Sequence, residues 1–203
     1  KKRPIVMTQG LAGVGRLLAL TVLLAWLLPG SANAVFMTLP HPVPLQPESL
    51  DLLRAMDAED SDQWKLVVFG FTRCKDICPR TMGTLSRLVK IANEKKIRMD
   101  GVFVTVDPDR DTGPVLGRYT APYGQKISFL RLQDEALERF KDQFGVEAVF
   151  YTKNKGNEVH YQVDHSSMAF LIDPEGRIRV VFDALEDSDS AAQMLREDQV
   201  FFQ

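Results

Sequence analysis

The chain has 203 residues, with 25 Lys and Arg against 27 Asp and Glu, a formal net charge of −2 and 45% hydrophobic residues. A length of this order is one domain by the usual prior and can bury a substantial core without disulfide staples. The mildly acidic balance argues against a nucleic-acid partner, since phosphate binding needs clustered Lys and Arg, and the pair Lys95-Lys96 reads as a solvated helix end.

Residues 1–34 carry Lys1, Lys2, Arg3 and Arg16 and no acid, then an apolar run of 12 residues at 17–28, then Pro29-Gly-Ser-Ala-Asn-Ala34. A basic start, a short apolar stretch and an Ala-x-Ala site predict a secretory signal peptide, hence export to a bacterial periplasm. The alternative is a retained anchor that tethers the protein to the inner membrane, although 12 residues fall short of the roughly 20 that a bilayer core needs. Neither cysteine lies near the run, so no lipid-attachment cysteine is expected. Removing these 34 residues and their four cations leaves 169 residues and lowers the formal charge from −2 to −6.

Residues 35–63 follow as an N-terminal segment that opens with a Pro-rich stretch, 35–47, containing Pro40, Pro42, Pro44 and Pro47 without periodicity, as in a tether or extended arm. From Trp64 to the end, apolar runs alternate with amphipathic ones in a single domain, 64–203. A buried strand is expected at 65–71. A helix at 79–94 follows, with Met82, Leu85, Leu88, Val89 and Ala92 on one face and Pro79 in its first turn, and a second strand lies at 100–106. Residues 113–123 read as helical and 127–132 as a strand. The next helix, 134–144, has Asp134 as N-cap and Gly145 as its stop. Strands at 168–172 and 177–182 flank the turn Asp173-Pro-Glu-Gly176, and a helix at 189–198 closes the chain. This order predicts an α/β protein of thioredoxin-like fold, a central mixed sheet flanked by helices. Fold alone leaves function open.

The chain has two cysteines, Cys74 and Cys78, at the junction between the first buried strand and its helix. In an exported protein the plain reading of such a pair is a structural disulfide, but a bridge across so short a loop gains little chain entropy. A helix N-terminus favours thiolate, and Arg73 and Lys75 add positive charge, so both sulfurs are expected to be reactive and at least partly exposed. Three residues, Lys75, Asp76 and Ile77, separate them, where dithiol oxidoreductases of this fold generally have two; the longer spacing suits a chelate. Chelation wants a third ligand, and the histidines are His41, His160 and His165. His165 is expected to open the strand beginning near Met168 and so to reach over the cysteine helix, although from the residues alone a hydrogen-bonded loop histidine is the plainer reading. His160 lies in a polar stretch and His41 in the Pro-rich arm.

Asp107, Asp109 and Asp111 superficially suggest a calcium loop, but Pro108 and Arg110 interrupt the series and the expected Gly and terminal Glu are missing. Capping and loop ordering is the better reading. Asp107 is expected near the cysteines, and Asp164 is a candidate for orienting a neighbouring group, both as supports behind the ligands.

The segment Phe69-Gly-Phe-Thr-Arg-Cys-Lys-Asp-Ile-Cys-Pro79 resembles the Phe-x-Phe-Thr-x-Cys-x-Asp-x-Cys-Pro segment of SCO/SenC proteins, copper chaperones for cytochrome c oxidase assembly. Phe103-Val-Thr-Val-Asp-Pro-Asp-Arg-Asp-Thr112 is similar to that family's Val-Asp-Pro-x-Arg-Asp-Thr segment, and Tyr161-Gln-Val-Asp-His-Ser166 to its Tyr-x-Val-Asp-His-Ser loop. By position, the resemblance implies that Cys74, Cys78 and His165 bind copper, as Cu(I), Cu(II) or both. It further implies delivery to the copper-A subunit of cytochrome c oxidase, or to another periplasmic copper protein, by a carrier rather than an enzyme. The alternative is a periplasmic thiol-disulfide oxidoreductase whose redox pair, Cys74 and Cys78, reduces acceptor cysteines. Arg73 and Lys75 stand where many members have His and Pro, which makes this site more positive. A peroxidase lacks its expected Pro and Thr spacing here, and a catalytic zinc site lacks a general base.

Overall fold

The computed structural model describes residues 36–56, 63–151, 161–187, 189–197 and 199–202, so the expected signal peptide and His160 lie outside the described residues. In chain order the elements are β1 (Phe36–Pro44), α1 (Pro47–Arg54), β2 (Trp64–Gly70), α2 (Ile77–Glu94), β3 (Met99–Thr105), α3 (Gly113–Thr120) and β4 (Ile127–Leu130). Then come α4 (Asp134–Phe144), β5 (Ala148–Tyr151), β6 (Gln162–His165), β7 (Ala169–Ile172), β8 (Arg177–Phe182) and α5 (Asp189–Glu197), with 3-10 turns at Ala121–Tyr123, Leu185–Asp187 and Gln199–Phe202.

Six strands form one sheet in the order β1-β8-β7-β2-β3-β4. β2, β3 and β4 run parallel, whereas β7 joins β2, and β8 and β1 follow, in antiparallel pairing. β2 is buried along its whole length, as expected of a strand covered on both faces. Its pleat divides the core. Trp64, Leu66 and Val68 pack with Met82, Leu85, Leu88 and Val89 of α2 and with Ala191, Ala192 and Leu195 of α5. Val67 and Phe69 turn the other way, to Leu53 of α1 and Leu137, Phe140 and Phe144 of α4. Each such buried side chain contributes about 1.5–3 kcal/mol of transfer free energy, and the two layers clamp the sheet between helices. This is the thioredoxin-like arrangement, with the cysteines at the end of a central strand.

Three details differ from the sequence expectation. The Pro-rich stretch is extended, but it forms an edge strand: β1 pairs with β8, and the register shifts between Thr38 and Val43, where Pro40 and Pro42 can donate no ladder hydrogen bonds. His41 is exposed on this outer strand, with β8 and β7 between it and β2. At α4, Gln133 takes the cap position; Asp134 is already helical and has φ 49°. Finally, β5 and β6 form a separate two-stranded sheet, so His165 ends its own strand instead of opening β7.

Candidate metal centre

β2 ends at Gly70, and the chain runs through Phe71–Asp76 before α2 begins at Ile77. Asp111, fully buried, holds this loop: its carboxylate accepts from the Thr72 backbone N–H (3.0 Å), from the Thr72 hydroxyl (2.5 Å) and from Thr105 Oγ1 (2.6 Å). Three donors on one buried carboxylate make a strong clamp, because hydrogen bonds to an ionised acceptor are worth more than neutral ones. Loop ordering is therefore what this carboxylate does, as expected of the aspartate series.

Cys74 lies in the loop and Cys78 in the first turn of α2. The Cys78 N–H donates to Cys74 Sγ at 3.3 Å, so sulfur occupies the capping role that Asp76, with no side-chain cap hydrogen bond, leaves open. Both cysteines are free thiols. Cys74 is partly exposed, as expected, but Cys78 is only 3% exposed. Its thiol is pushed up to about 12, chiefly by burial and then by Cys74 and Asp111, against one backbone hydrogen bond at Phe71 that favours the charged form. Desolvation thus outweighs the helix dipole at this position, which corrects the expectation of two exposed, acidified sulfurs. Gly70 makes the close packing feasible: a Cβ there would stand 3.0 Å from Cys78 Sγ and 2.8 Å from the Phe103 ring.

His165 arrives from 87 residues further along the chain, its Nε2 3.7 Å from Cys78 Sγ. Nδ1 lies 2.8 Å from the Ser166 carbonyl, which can only accept, so Nδ1 carries the proton and the Nε2 lone pair faces the sulfur. Phe71 meets the imidazole edge-on at 5.8 Å. Burial lowers the pKa of the ring, opposed by the Ser166 carbonyl and by the charges of Asp164 and Glu186, so the imidazole stays neutral at neutral pH.

What carries His165 there is a latch on the β5–β6 hairpin. The Tyr161 hydroxyl donates to Asp107, Arg110 Nε donates to the other Asp107 oxygen at 2.5 Å, and Arg110 Nη1 donates to the Tyr161 carbonyl at 2.8 Å. The guanidinium also stacks 3.6 Å from the Tyr161 ring centroid. At the other end, Ser166 N–H donates to the Glu147 carbonyl at 3.2 Å. Asp107 therefore supports the hairpin, and Asp164, exposed on β6, acts on His165 through charge alone.

The structure brings Cys78 and His165 together and joins Cys74 to Cys78 through a backbone amide. Among the described residues no three His, Cys, Asp or Glu side chains already converge as a ready metal-binding group. Cys74 opens on a cleft of about 850 Å³, lined also by Phe71, Arg73, Lys75, Ile77 and Tyr161, where Ile77 is 41% exposed. Sequence reasoning missed Gly70, Thr72, Arg110 and Tyr161. The alternation of Tyr161, Val163 and His165 along one face was the available clue to the last of these.

Fold and site together define a thioredoxin-like protein with a three-residue cysteine spacing at a helix start and a histidine against the inner sulfur. A model of the SCO1/SenC family matches residues 54–198, and the chain belongs to that family. An SCO2-like protein of Rickettsia prowazekii is 38% identical over 114 residues, 55% of this chain and 54% of that protein. The chain thus spans about half the length of the curated relatives it matches. The solution structure of apo Sco1 from Thermus thermophilus superposes with TM-score 0.63 at 29% identity, covering 81% of this chain and 98% of the other. Copper-bound ScoI of Bradyrhizobium japonicum, at 24% identity and TM-score 0.55 over 66% of this chain and 83% of its own, shares the fold. Among the described residues no helix is long and apolar enough to cross a membrane.

Proposed function

We propose that the protein is a copper-binding metallochaperone that delivers copper to the copper-A centre of cytochrome c oxidase during its assembly, working outside the membrane that holds the oxidase. The observation that carries the reading is the 3.7 Å approach of His165 Nε2 to the Cys78 sulfur, with the ring's other nitrogen tied to Ser166. Thiolates select Cu(I), and imidazole accepts either oxidation state. In this reading Cys74 Sγ leaves the Cys78 amide to become the third ligand, and the ion keeps one open face toward the cleft for hand-over by ligand exchange. Membership of the SCO1/SenC family supports a copper role, and copper-bound forms are known among proteins of the same fold.

The test is uptake of Cu(I) by the purified, reduced protein. One ion per chain is expected, with binding sharply weakened in Cys78→Ser and in His165→Ala; unchanged binding in His165→Ala would reject the three-ligand site. Delivery is tested with a purified, reduced copper-A domain as acceptor, and copper that stays on the chaperone counts against it.

A second reading, thiol-disulfide exchange, is favoured by the access of Cys74 to the cleft beside a buried partner thiol. Cys74 would attack an acceptor disulfide and Cys78 would resolve the mixed disulfide, leaving the acceptor reduced and the pair oxidised. Equilibration with a glutathione buffer measures the potential this requires.

A further inference from the structure

We propose that the outer edge of β6 is a docking strand for the acceptor protein: an extended, acidic, cysteine-bearing segment of that partner pairs with the Val163 backbone and lies in the cleft beside Cys74. The inference rests on the copper-delivery reading above and deepens it by naming the form in which the acceptor binds.

β6 has a strand partner on one side, since β5 and β6 make up a two-stranded sheet. In an antiparallel pair the backbone N–H and C=O groups of successive residues point alternately toward the partner strand and away from it. Two bonds fix which residues of β6 do which. Ser166 N–H donates to the Glu147 carbonyl, so Ser166, and with it Asp164 and Gln162, faces β5. The Tyr161 carbonyl accepts from Arg110 Nη1 at 2.8 Å on the far side. Tyr161 and Val163 therefore turn their backbone groups outward. The Tyr161 carbonyl is taken, whereas the Val163 N–H and C=O have no hydrogen-bond partner among the described residues.

Arg110, Tyr161 and Val163 all line the cleft onto which Cys74 opens, so this edge faces that space. A strand edge with unpaired groups is a template for one more strand, and an extended peptide can supply it. One residue of an antiparallel segment would exchange two hydrogen bonds with Val163, whose side chain stays packed in the core. Charge selects the occupant. Arg73 and Lys75, both exposed, outnumber Asp76 in the cleft, and Arg110 is bonded to Asp107. Phe71 and Ile77 add apolar lining. An acidic segment held here brings its own cysteine into the same cleft as the Cys74 sulfur.

The probe is a fluorescein-labelled synthetic heptapeptide, Glu at both ends and Val-Cys-Val at its centre, added to the reduced, metal-free full chain. Anisotropy should rise to saturation, and a peptide with Ser for Cys should bind equally, because the backbone holds it. With peptide at about ten times its Kd, exchange of the Val163 amide hydrogen should slow about tenfold, while that of Asp164, bonded to β5, changes little. N-methylation of alternate peptide residues should lower affinity about tenfold in one set, the size of a lost hydrogen bond, and leave it in place in the other. Arg73→Glu combined with Lys75→Glu should weaken binding and remove its dependence on salt. No saturable binding, an unprotected Val163, or equal effects of the two methylation sets overturns the proposal. So does protection of Val163 without peptide that rises with dimer formation in light scattering, since a second copy would then hold the edge. Full copper uptake beside an unprotected Val163 sinks only the docking strand; failed uptake beside a protected Val163 rejects the delivery reading and upholds the strand for thiol exchange.

Discussion

Cys78 shows how one residue's surroundings reverse a general tendency. A cysteine in the first turn of a helix is expected to be acidified, yet burial against Gly70 and Phe103 raises it. The missing Cβ of Gly70 is what admits the sulfur. Gly70→Ala should therefore lower stability by about 1–3 kcal/mol, the range for overpacking a well-filled core, and should weaken Cu(I) binding as well. Urea unfolding followed by chelator competition checks both, and a variant as stable as the wild type would show that Phe103 yields without cost. Cys74 and Cys78 stood out as the chain's two cysteines at a strand-to-helix junction, whereas His165 was singled out only through the resemblance of Tyr161–Ser166 to the SCO/SenC loop. The burial of Cys78 was not legible, because it depends on Phe103 from a neighbouring strand.

At the level of elements, the β2-α2-β3 unit and the closing hairpin β7–β8 announce themselves through long apolar runs and the Asp173-to-Gly176 turn. β1, β5 and β6 do not. β1 is broken by prolines, and β5 and β6 are short, half exposed and joined through residues 152–160, so their pairing shows only in three dimensions. The latch of Tyr161, Arg110 and Asp107 on that hairpin is a prediction in itself. Tyr161→Phe removes the hydroxyl that Asp107 accepts, at a cost of about 1.5–3 kcal/mol for a hydrogen bond to a charged group. It should also loosen His165, so that Cu(I) affinity falls while the thiol count stays at two. Retained affinity would mean that the Arg110 contacts to the residue-161 carbonyl and ring, with the Glu147–Ser166 pairing, suffice to position the imidazole.

For the molecule as a whole, the buried neutral imidazole ties stability to pH. The folded-state pKa of His165 lies below its ordinary 6.5, so above 6.5 the ring is neutral in both states and contributes no slope. As pH falls through 6.5, the unfolded chain takes up a proton that the folded chain refuses, and stability drops until the folded pKa is passed. Metal-free wild type should lose more stability between pH 7.5 and 5.5 than His165→Gln, read as the shift of the urea midpoint; parallel curves would show that the ring protonates in place. Five strands of the frame, β2, β3, β4, β7 and β8, and the helices on its two faces were readable from apolar runs and periodicity, whereas β1 was not; β2 turns alternate residues to α2 on one side and to α4 on the other.

The nitrogen and the two sulfurs belong to different ladders. Cys74 and Cys78 are rooted in the main frame through β2 and α2, whereas His165 hangs on a two-stranded flap that shares no strand with it. Swinging the flap aside would cost the frame none of its interstrand bonds. A competing donor on an acceptor protein should accordingly replace the imidazole first and the thiolates last, giving unloading a built-in sequence.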